Sequence, residues 1–513
     1  MIAVTMSVML AIALGWLGTS SWLSMGINWD AAGYSADIGR GEPWGEYPWN
    51  SHYGAWQVYW VAMHLARGLG GTLLDGLRGL NAVALACSAA ILALCALRWK
   101  LSATLAIFVA GIYLLSWGTL LLVFTWEDNV LVHPGALAAL AVCIFRIGKW
   151  RPRDSVVAGA CVGIASLMSW QGASYGLPVL YAAAFLAGPR PSQWARIRDL
   201  ALVPLALVAT RAAWVLFYWL TATQLSLAKL LRIAFERPSP NYLPQRLSGW
   251  WALLCSWRQI LEHLGIGVTH EAGPVLRDAT GIVRYLPYLG AFLLVFALLC
   301  WVATNLAHRN KSSLGSQFLA AAFLALTLAS AIYLDLPVDK YKRYDYIPMF
   351  LSLGAALLAA RLMERYSPMR KAKMVLTLGL VLVLVGEGLL ALRWNRQWYA
   401  KLPASAPANY LGHENQTWFA YMRSLRKAHP DACSFLLAFD EVKQGRYQLE
   451  IPAALFSELP HAVVVGAPAY VRGWPRPLPV DDGSAVQKSR QTCAWVSPSA
   501  KAVLAVQQIQ PRK

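Results

Sequence analysis

Charge is scarce in this sequence. Only 14% of its 513 residues are charged, against about 25% in an average soluble domain. That is too little to clothe a water-facing surface. Acids are scarcer than bases, with 26 Asp+Glu against 45 Lys+Arg, a net charge of +19. The 8 cysteines are too few for a disulfide-dense secreted scaffold. No low-complexity segment and no internal repeat appears, and 24 Trp with 21 Tyr exclude a disordered chain. A Walker A sequence is absent, so no ATP motor is visible. No Cys/His set has zinc spacing, and there is no Gly-x-Ser-x-Gly elbow.

Apolar length is plentiful. The chain is 57% hydrophobic and its mean hydropathy is +0.44. A membrane span needs about 20 mostly apolar residues. Eleven stretches qualify: 3–22, 77–97, 102–124, 129–147, 155–170, 172–188, 200–222, 284–306, 314–334, 346–362 and 374–393. The first lacks the basic n-region and cleavage site of a signal peptide, so it reads as a true span. Residues 52–68 are apolar but carry Gln57, His64 and Arg67, which suits an interfacial helix. The predicted fold class is an α-helical polytopic membrane protein of about 11 spans.

Charge asymmetry orients it. One set of loops holds 16 basic residues, among them Arg98, Arg146, Arg151, Arg198, Arg309 and Arg370, against Asp154, Asp199 and Glu364. The opposite loops hold Asp30, Asp37, Glu42, Glu46, Glu127 and Asp128. Positive charge stays cytoplasmic. That rule accounts for the basic excess, and no nucleic-acid partner is expected. The N-terminus is then inside and the C-terminus outside. The division is a transmembrane domain, 1–393, with outer loops 23–76 and 223–283, and an extracytoplasmic domain, 394–513. In the second outer loop, Leu225, Lys229 and Arg232 suggest an amphipathic helix on the membrane. In the tail, Cys433–Phe439 and Ala462–Val465 read as strands of a small α+β domain. Cys433 and Cys493 lie there, and an oxidising compartment allows a bridge between them without requiring it. The other cysteines lie in or beside spans, where a thiol is a small hydrophobe.

Several residues are costly as scaffold. Asp30 stands among Trp29, Tyr34, Trp44, Tyr47, Trp49, His52 and Tyr53. The rings suit an interfacial belt, yet an acid among rings is also the composition of a sugar site. Glu127 and Asp128 are adjacent acids in a very short turn, where they repel unless a donor or cation sits between them. Asp128 or Asn129 serves equally as an N-cap for the next span. Lys340, Lys342, Arg343 and Tyr344 lie on an outer loop, against the charge rule. Either Asp335, Asp339 and Asp345 neutralise them, or they bind a phosphate. Arg211 is mid-span and costs about 2.5 kcal/mol or more on insertion scales. It needs a partner such as Glu387, or a wet cavity.

In order and topology these features resemble the GT-C superfamily of membrane glycosyltransferases, which includes protein O-mannosyltransferases and bacterial lipid A aminoarabinose transferase. Asp30-Ala31-Ala32-Gly33-Tyr34 is similar to the family's first-loop Asp-Glu-x-x-Tyr, followed by Ile38 to Trp44 and a surface helix over Tyr47 to Trp60. Glu127-Asp128 matches the second-loop acid, and Lys342-Arg343-Tyr344 loosely matches a late Glu-Arg-Tyr. The pattern covers roughly residues 1–360. It departs at Ala31, where the family has an acid, and at the last motif, which lacks its Glu.

The resemblance implies inverting transfer from a polyprenyl-phosphate sugar to a lipid, glycan or protein acceptor outside the bacterial inner membrane. Asp30 is then the general base, with Asp128 and Glu127 stabilising the oxocarbenium charge. Arg343, with Lys340 or Lys342, neutralises the leaving phosphate. Tyr34, Trp49, His52, Tyr53, Tyr344 and Arg211 join the substrate surface. No cofactor is required on this reading, although a divalent metal at Asp30, Glu127 and Asp128 remains open. Two rival readings stand beside it: a lipid-linked glycan transporter or flippase, and a non-catalytic component of cell-envelope polysaccharide assembly.

Overall fold

A computed structural model describes residues 1–18, 38, 53–71, 73–124, 128–189, 192–221, 226–235, 313–333 and 346–365, with strands at 434–438, 463–465, 493–497 and 505–509. The described part of the bundle runs α1 Ile2–Gly18, α2 Tyr53–Gly68, α3 Leu73–Arg98, α4 Ala103–Leu115 and α5 Trp117–Phe124. A 3-10 helix, Asp128–Leu131, opens α6, Val132–Arg146. Then come α7 Pro152–Met168, a second 3-10 helix Trp170–Tyr175, α8 Gly176–Phe185, α9 Gln193–Thr221 and α10 Leu227–Phe235. The last two are α11 Leu314–Tyr333 and α12 Tyr346–Arg365.

The segments Asp75–Arg98, Asn129–Arg146 and Gln193–Thr221 are long and apolar enough to cross a membrane. Shorter apolar helices occupy Ile2–Trp16, Ala103–Leu115, Leu314–Ala329 and Tyr346–Arg361. The expected spans 284–306 and 374–393 lie outside the described residues, as does Glu387. Helix α9 shows the solvent it was built for. It buries a narrow stripe of Val203, Ala206, Arg211, Val215 and Tyr218. Its opposite face is apolar and open, with Leu205 61% and Leu220 66% exposed. In water such a face would be covered; in a bilayer it is the correct surface.

Small residues let the helices approach. Lipid tails are as apolar as leucine, so helix association there relies on close packing. Gly159 and Gly163, one turn apart on α7, face α9. A Cβ at Gly159 would collide with Val203 O, and one at Gly163 would sit 2.7 Å from Thr210 Cβ. Gly135 seats α6 on α7 the same way, since a Cβ there would sit 2.9 Å from Cys161 O. Gly159→Leu is therefore expected to wedge α7 from α9 and lower stability by about 1–3 kcal/mol or more. A thermal melt in detergent checks this, with Gly68→Leu, which has nothing within 4 Å, as the control.

The basic loops gather at one end of the bundle. Gly148 N donates to Leu186 O at 2.8 Å, and Trp150 N to Ala187 O at 3.2 Å. Arg146 Nε bridges to Asp154 Oδ2 at 2.9 Å, and that carboxylate also caps α7 by accepting from Arg151 N at 2.7 Å. Arg361 reaches Ser313 Oγ across α12 and α11. The two 3-10 helices, α2 and α10 lie at the opposite end.

Three expectations need correction. The run 102–124 is broken: Ser116 takes an extended ψ of 142° between α4 and α5. Its Oγ donates to Tyr113 O at 2.8 Å and lies 3.2 Å from the Thr119 hydroxyl. Serine thus offers the backbone a local alternative to the helix ladder. Helix α9 begins at Gln193 rather than near 200, with Trp194, Arg196 and Arg198 exposed on its first turns. The third correction concerns the N-cap before α6. Leu131 holds that position and makes no side-chain cap.

The stretch 52–68, expected as an interfacial helix, is helical as α2, and part of the segment 223–283, expected to hold an amphipathic helix, is helical as α10. Leu230 and Ala234 of α10 are buried, while Leu231 and Arg232 are exposed. In the tail, β1 Ser434–Ala438, β2 Val463–Val465, β3 Cys493–Ser497 and β4 Ala505–Ile509 form one sheet in the order β2-β1-β3-β4. Strand β1 runs parallel to β2 and β3, and β4 is antiparallel to β3. Two of these strands are the ones the sequence suggested. Ser434 is in register with Cys493; Cys433 lies outside the described residues.

Candidate functional site

The end of the bundle opposite the basic loops carries a layer of buried polar side chains. Such groups are costly inside a membrane unless hydrogen-bonded. Here they pair across helices. Tyr59 of α2 donates to Asn81 Oδ1 of α3 at 3.1 Å. Trp214 Nε1 of α9 donates to Gln57 Oε1 of α2 at 3.2 Å. Tyr113 OH and His133 Nδ1 lie 2.5 Å apart, joining α4 to α6. Gln171 Nε2 donates to Asn129 Oδ1 at 2.6 Å, joining the two 3-10 helices. On α2, His64 stacks on Trp60 with ring centroids 4.0 Å apart. Burial, helped by Arg67, holds its imidazole below the usual histidine range.

Arg211 explains how a cation survives mid-span. It is 2% exposed. Its Nε donates to Ala234 O at 3.0 Å, and its Nη2 to the same oxygen. Its Nη1 donates to Ser166 O at 2.7 Å and Ser166 Oγ at 3.0 Å. Both carbonyls belong to last turns, of α10 and α7, where backbone acceptors have no intrahelical donor. A cation at a helix C-terminus is also favoured by the helix dipole. The guanidinium lies 4.2 Å from the Trp170 ring centroid and 5.8 Å from that of Phe235. The sequence reading asked for a carboxylate or a wet cavity; Arg211 donates to two backbone carbonyls and a serine hydroxyl.

Asp128 opens the first 3-10 helix, next to Asn129, so the acid turn starts within this layer. The side chains of Asp128 and Tyr53 are not among those described. Asp30, Tyr34, Trp49, His52, Glu127, Lys340, Lys342, Arg343 and Tyr344 lie outside the described residues. No group of three His, Cys, Asp or Glu able to hold a metal occurs among the described residues. Of the acids named for such an ion, Asp30 and Glu127 lie outside them. Gln171, Asn129, Tyr113 and His133 were not singled out as site residues from the sequence. The available signal was polar side chains placed inside apolar runs.

No protein-family model matches the chain, and no curated protein matches it either. Solved structures do. ArnT from Cupriavidus metallidurans, bound to undecaprenyl phosphate, superposes with a TM-score of 0.53 at 14% identity, over 96% of this chain and 92% of that one. Its apo state gives 0.53 at 13% identity, over 96% and 92%. The oligosaccharyltransferase of Archaeoglobus fulgidus, in complex with Zn and sulfate, gives 0.51 at 13% identity, over 96% of this chain and 68% of that one. These are GT-C superfamily membrane glycosyltransferases. The chain has the GT-C fold. Likeness at this identity concerns the fold, and it agrees with the order of loops and spans that carried the resemblance.

Proposed function

We propose that this GT-C-fold chain is an inverting glycosyltransferase of the bacterial inner membrane. It moves a sugar from a polyprenyl-phosphate donor to an extracytoplasmic lipid, glycan or protein acceptor. The observation that carries this reading is the near full-length likeness to ArnT, whose structure holds undecaprenyl phosphate. The polar layer beside Asp128 supports it, because polar and ionisable groups inside a membrane mark functional sites by default.

An acceptor O–H or N–H attacks the anomeric carbon while Asp30 takes its proton. The bond from that carbon to the phosphate oxygen breaks, and the lipid phosphate leaves. Glu127 and Asp128 stabilise the positive charge that develops on the ring. Arg343, with Lys340 or Lys342, takes the negative charge of the leaving phosphate. Tyr34, Trp49, His52, Tyr53 and Tyr344 bound the sugar. On this reading no cofactor is required. The 394–513 domain faces the same side as the acceptor.

The test uses the full chain in nanodiscs with a synthetic polyprenyl phosphate. Arg343→Ala is expected to weaken binding about tenfold, the loss of one charge-assisted hydrogen bond. Sugar transfer from the matching donor should appear in the wild type. Unchanged affinity in the variant would remove the phosphate role, and absence of transfer across a donor panel would remove the enzyme reading.

A further inference from the structure

Helix α6 lacks a side-chain cap, because Leu131 at its N-cap offers no acceptor. Asn129, a residue type that ordinarily caps, turns its carbonyl oxygen to Gln171 instead, 42 residues away in the chain and 2.6 Å away in space. Asn129 is 2% exposed and is peptide-bonded to Asp128. Fixing its side chain therefore fixes the turn that Asp128 opens.

Gln171 is itself held. A Cβ on its neighbour Gly172 would collide with Ala165 of α7, so the second 3-10 helix lies directly on that helix. Ser174 Oγ donates to Gln171 O at 2.6 Å. On the other side, Trp170 lies under the Arg211 guanidinium. A continuous run of contacts thus passes from α9 and α7 through the second 3-10 helix to the acid turn. The amides that make the last link are neutral. A lysine or arginine there would hold the turn equally well but would cancel the negative field of Glu127 and Asp128.

We propose that Gln171 and Asn129 are positioning residues, which set the Glu127–Asp128 acids against the reacting sugar. This rests on the glycosyltransferase reading above. Adjacent carboxylates repel, and a 3-10 turn has poorer hydrogen bonds than an α-helix. Without the cross-link the turn that Asp128 opens loses its tie to the second 3-10 helix. Loss of placement by about 1 Å can cost on the order of a hundredfold in rate.

Four variants of the full chain test it: Asn129→Leu, Gln171→Leu, the double, and the exchange Asn129→Gln with Gln171→Asn. The exchange keeps the summed length of the two amides, so the bond can re-form. Each single leucine variant is expected to lower kcat about tenfold or more with donor KM held within about threefold. The double should be no worse than the worse single, as coupled residues behave. The exchange should recover most of kcat. Additive losses, or an exchange as poor as the singles, would overturn the proposal.

A second readout separates it from the function reading. Labelling of the peptide containing Glu127 and Asp128 by a hydrophobic carbodiimide, followed by mass spectrometry across pH, needs no turnover. If the wild type transfers no sugar, a several-fold change in labelling in both leucine variants, reversed by the exchange, still supports positioning. Identical labelling in all variants would overturn it.

Discussion

Arg211→Leu is expected to be among the most destabilising single changes in the described bundle. The opposing terms can be compared. Removing a buried guanidinium relieves an insertion cost of about 2.5–3.5 kcal/mol. It also strips the donors from Ala234 O and Ser166 O, at the ends of α10 and α7. Hydrogen bonds to charged groups are worth about 1.5–3 kcal/mol each, and a buried acceptor left bare costs a similar amount again. Two acceptors outweigh one relieved cation, and the ring contact with Trp170 is lost as well. The net expectation is a loss of about 3 kcal/mol.

Arg211→Lys keeps the charge but replaces a planar fork with a point donor. It should serve one carbonyl and release the other. A thermal melt in detergent reads the global effect. Hydrogen exchange over Leu227–Phe235 reads the local one, because α10 is short and Arg211 is what ties its last turn to α9. Exchange there should rise strongly in the leucine variant and less in the lysine variant. Wild-type exchange and an unmoved midpoint in Arg211→Leu would show that other contacts dock α10.

The contrast between what was and was not legible follows from where the information sits. Apolar runs are written in side chains, so α3, α6, α11 and α12 appear close to the expected stretches. The break at Ser116 was hidden because a single serine in a long apolar run is usually tolerated. What decides it is that Ser116 Oγ finds Tyr113 O and Thr119 Oγ1. The early start of α9 was hidden because its first turns carry Arg196, Arg198 and Asp199 and are not an apolar run. Arg211 was visible as a costly residue, but its partners were not. Backbone carbonyls at helix ends have no residue signature, whereas a distant carboxylate such as Glu387 does. The Gln171–Asn129 link was invisible for a related reason: an amide pair needs the third dimension to bring it together. Asp128 was legible as an unusual acid, and only the fold gives it a neighbour that is held in place.

Asp30→Asn carries the largest expected kinetic effect. The substitution keeps the size of the side chain and removes its ability to take a proton. General acid–base contributions run to about 10²–10⁴-fold, which corresponds to about 3–5 kcal/mol of barrier. The loss should fall on kcat, with donor affinity and melting midpoint unchanged, because the base acts only as the acceptor attacks. The pH profile tells its role from that of Asp128. A base must be ionised to work, so the wild-type rate falls as pH drops and the carboxylate protonates. In Asp30→Asn most of the rate should be lost, and the acid limb should shrink to what protonation of Glu127 and Asp128 contributes. In Asp128→Asn the rate should fall while the limb stays, because a charge that stabilises the sugar cation is lost but the base remains. If the two variants exchange these behaviours, the roles are reversed and Asp128 is the base. If Asp30→Asn retains wild-type transfer, the base lies elsewhere in the chain.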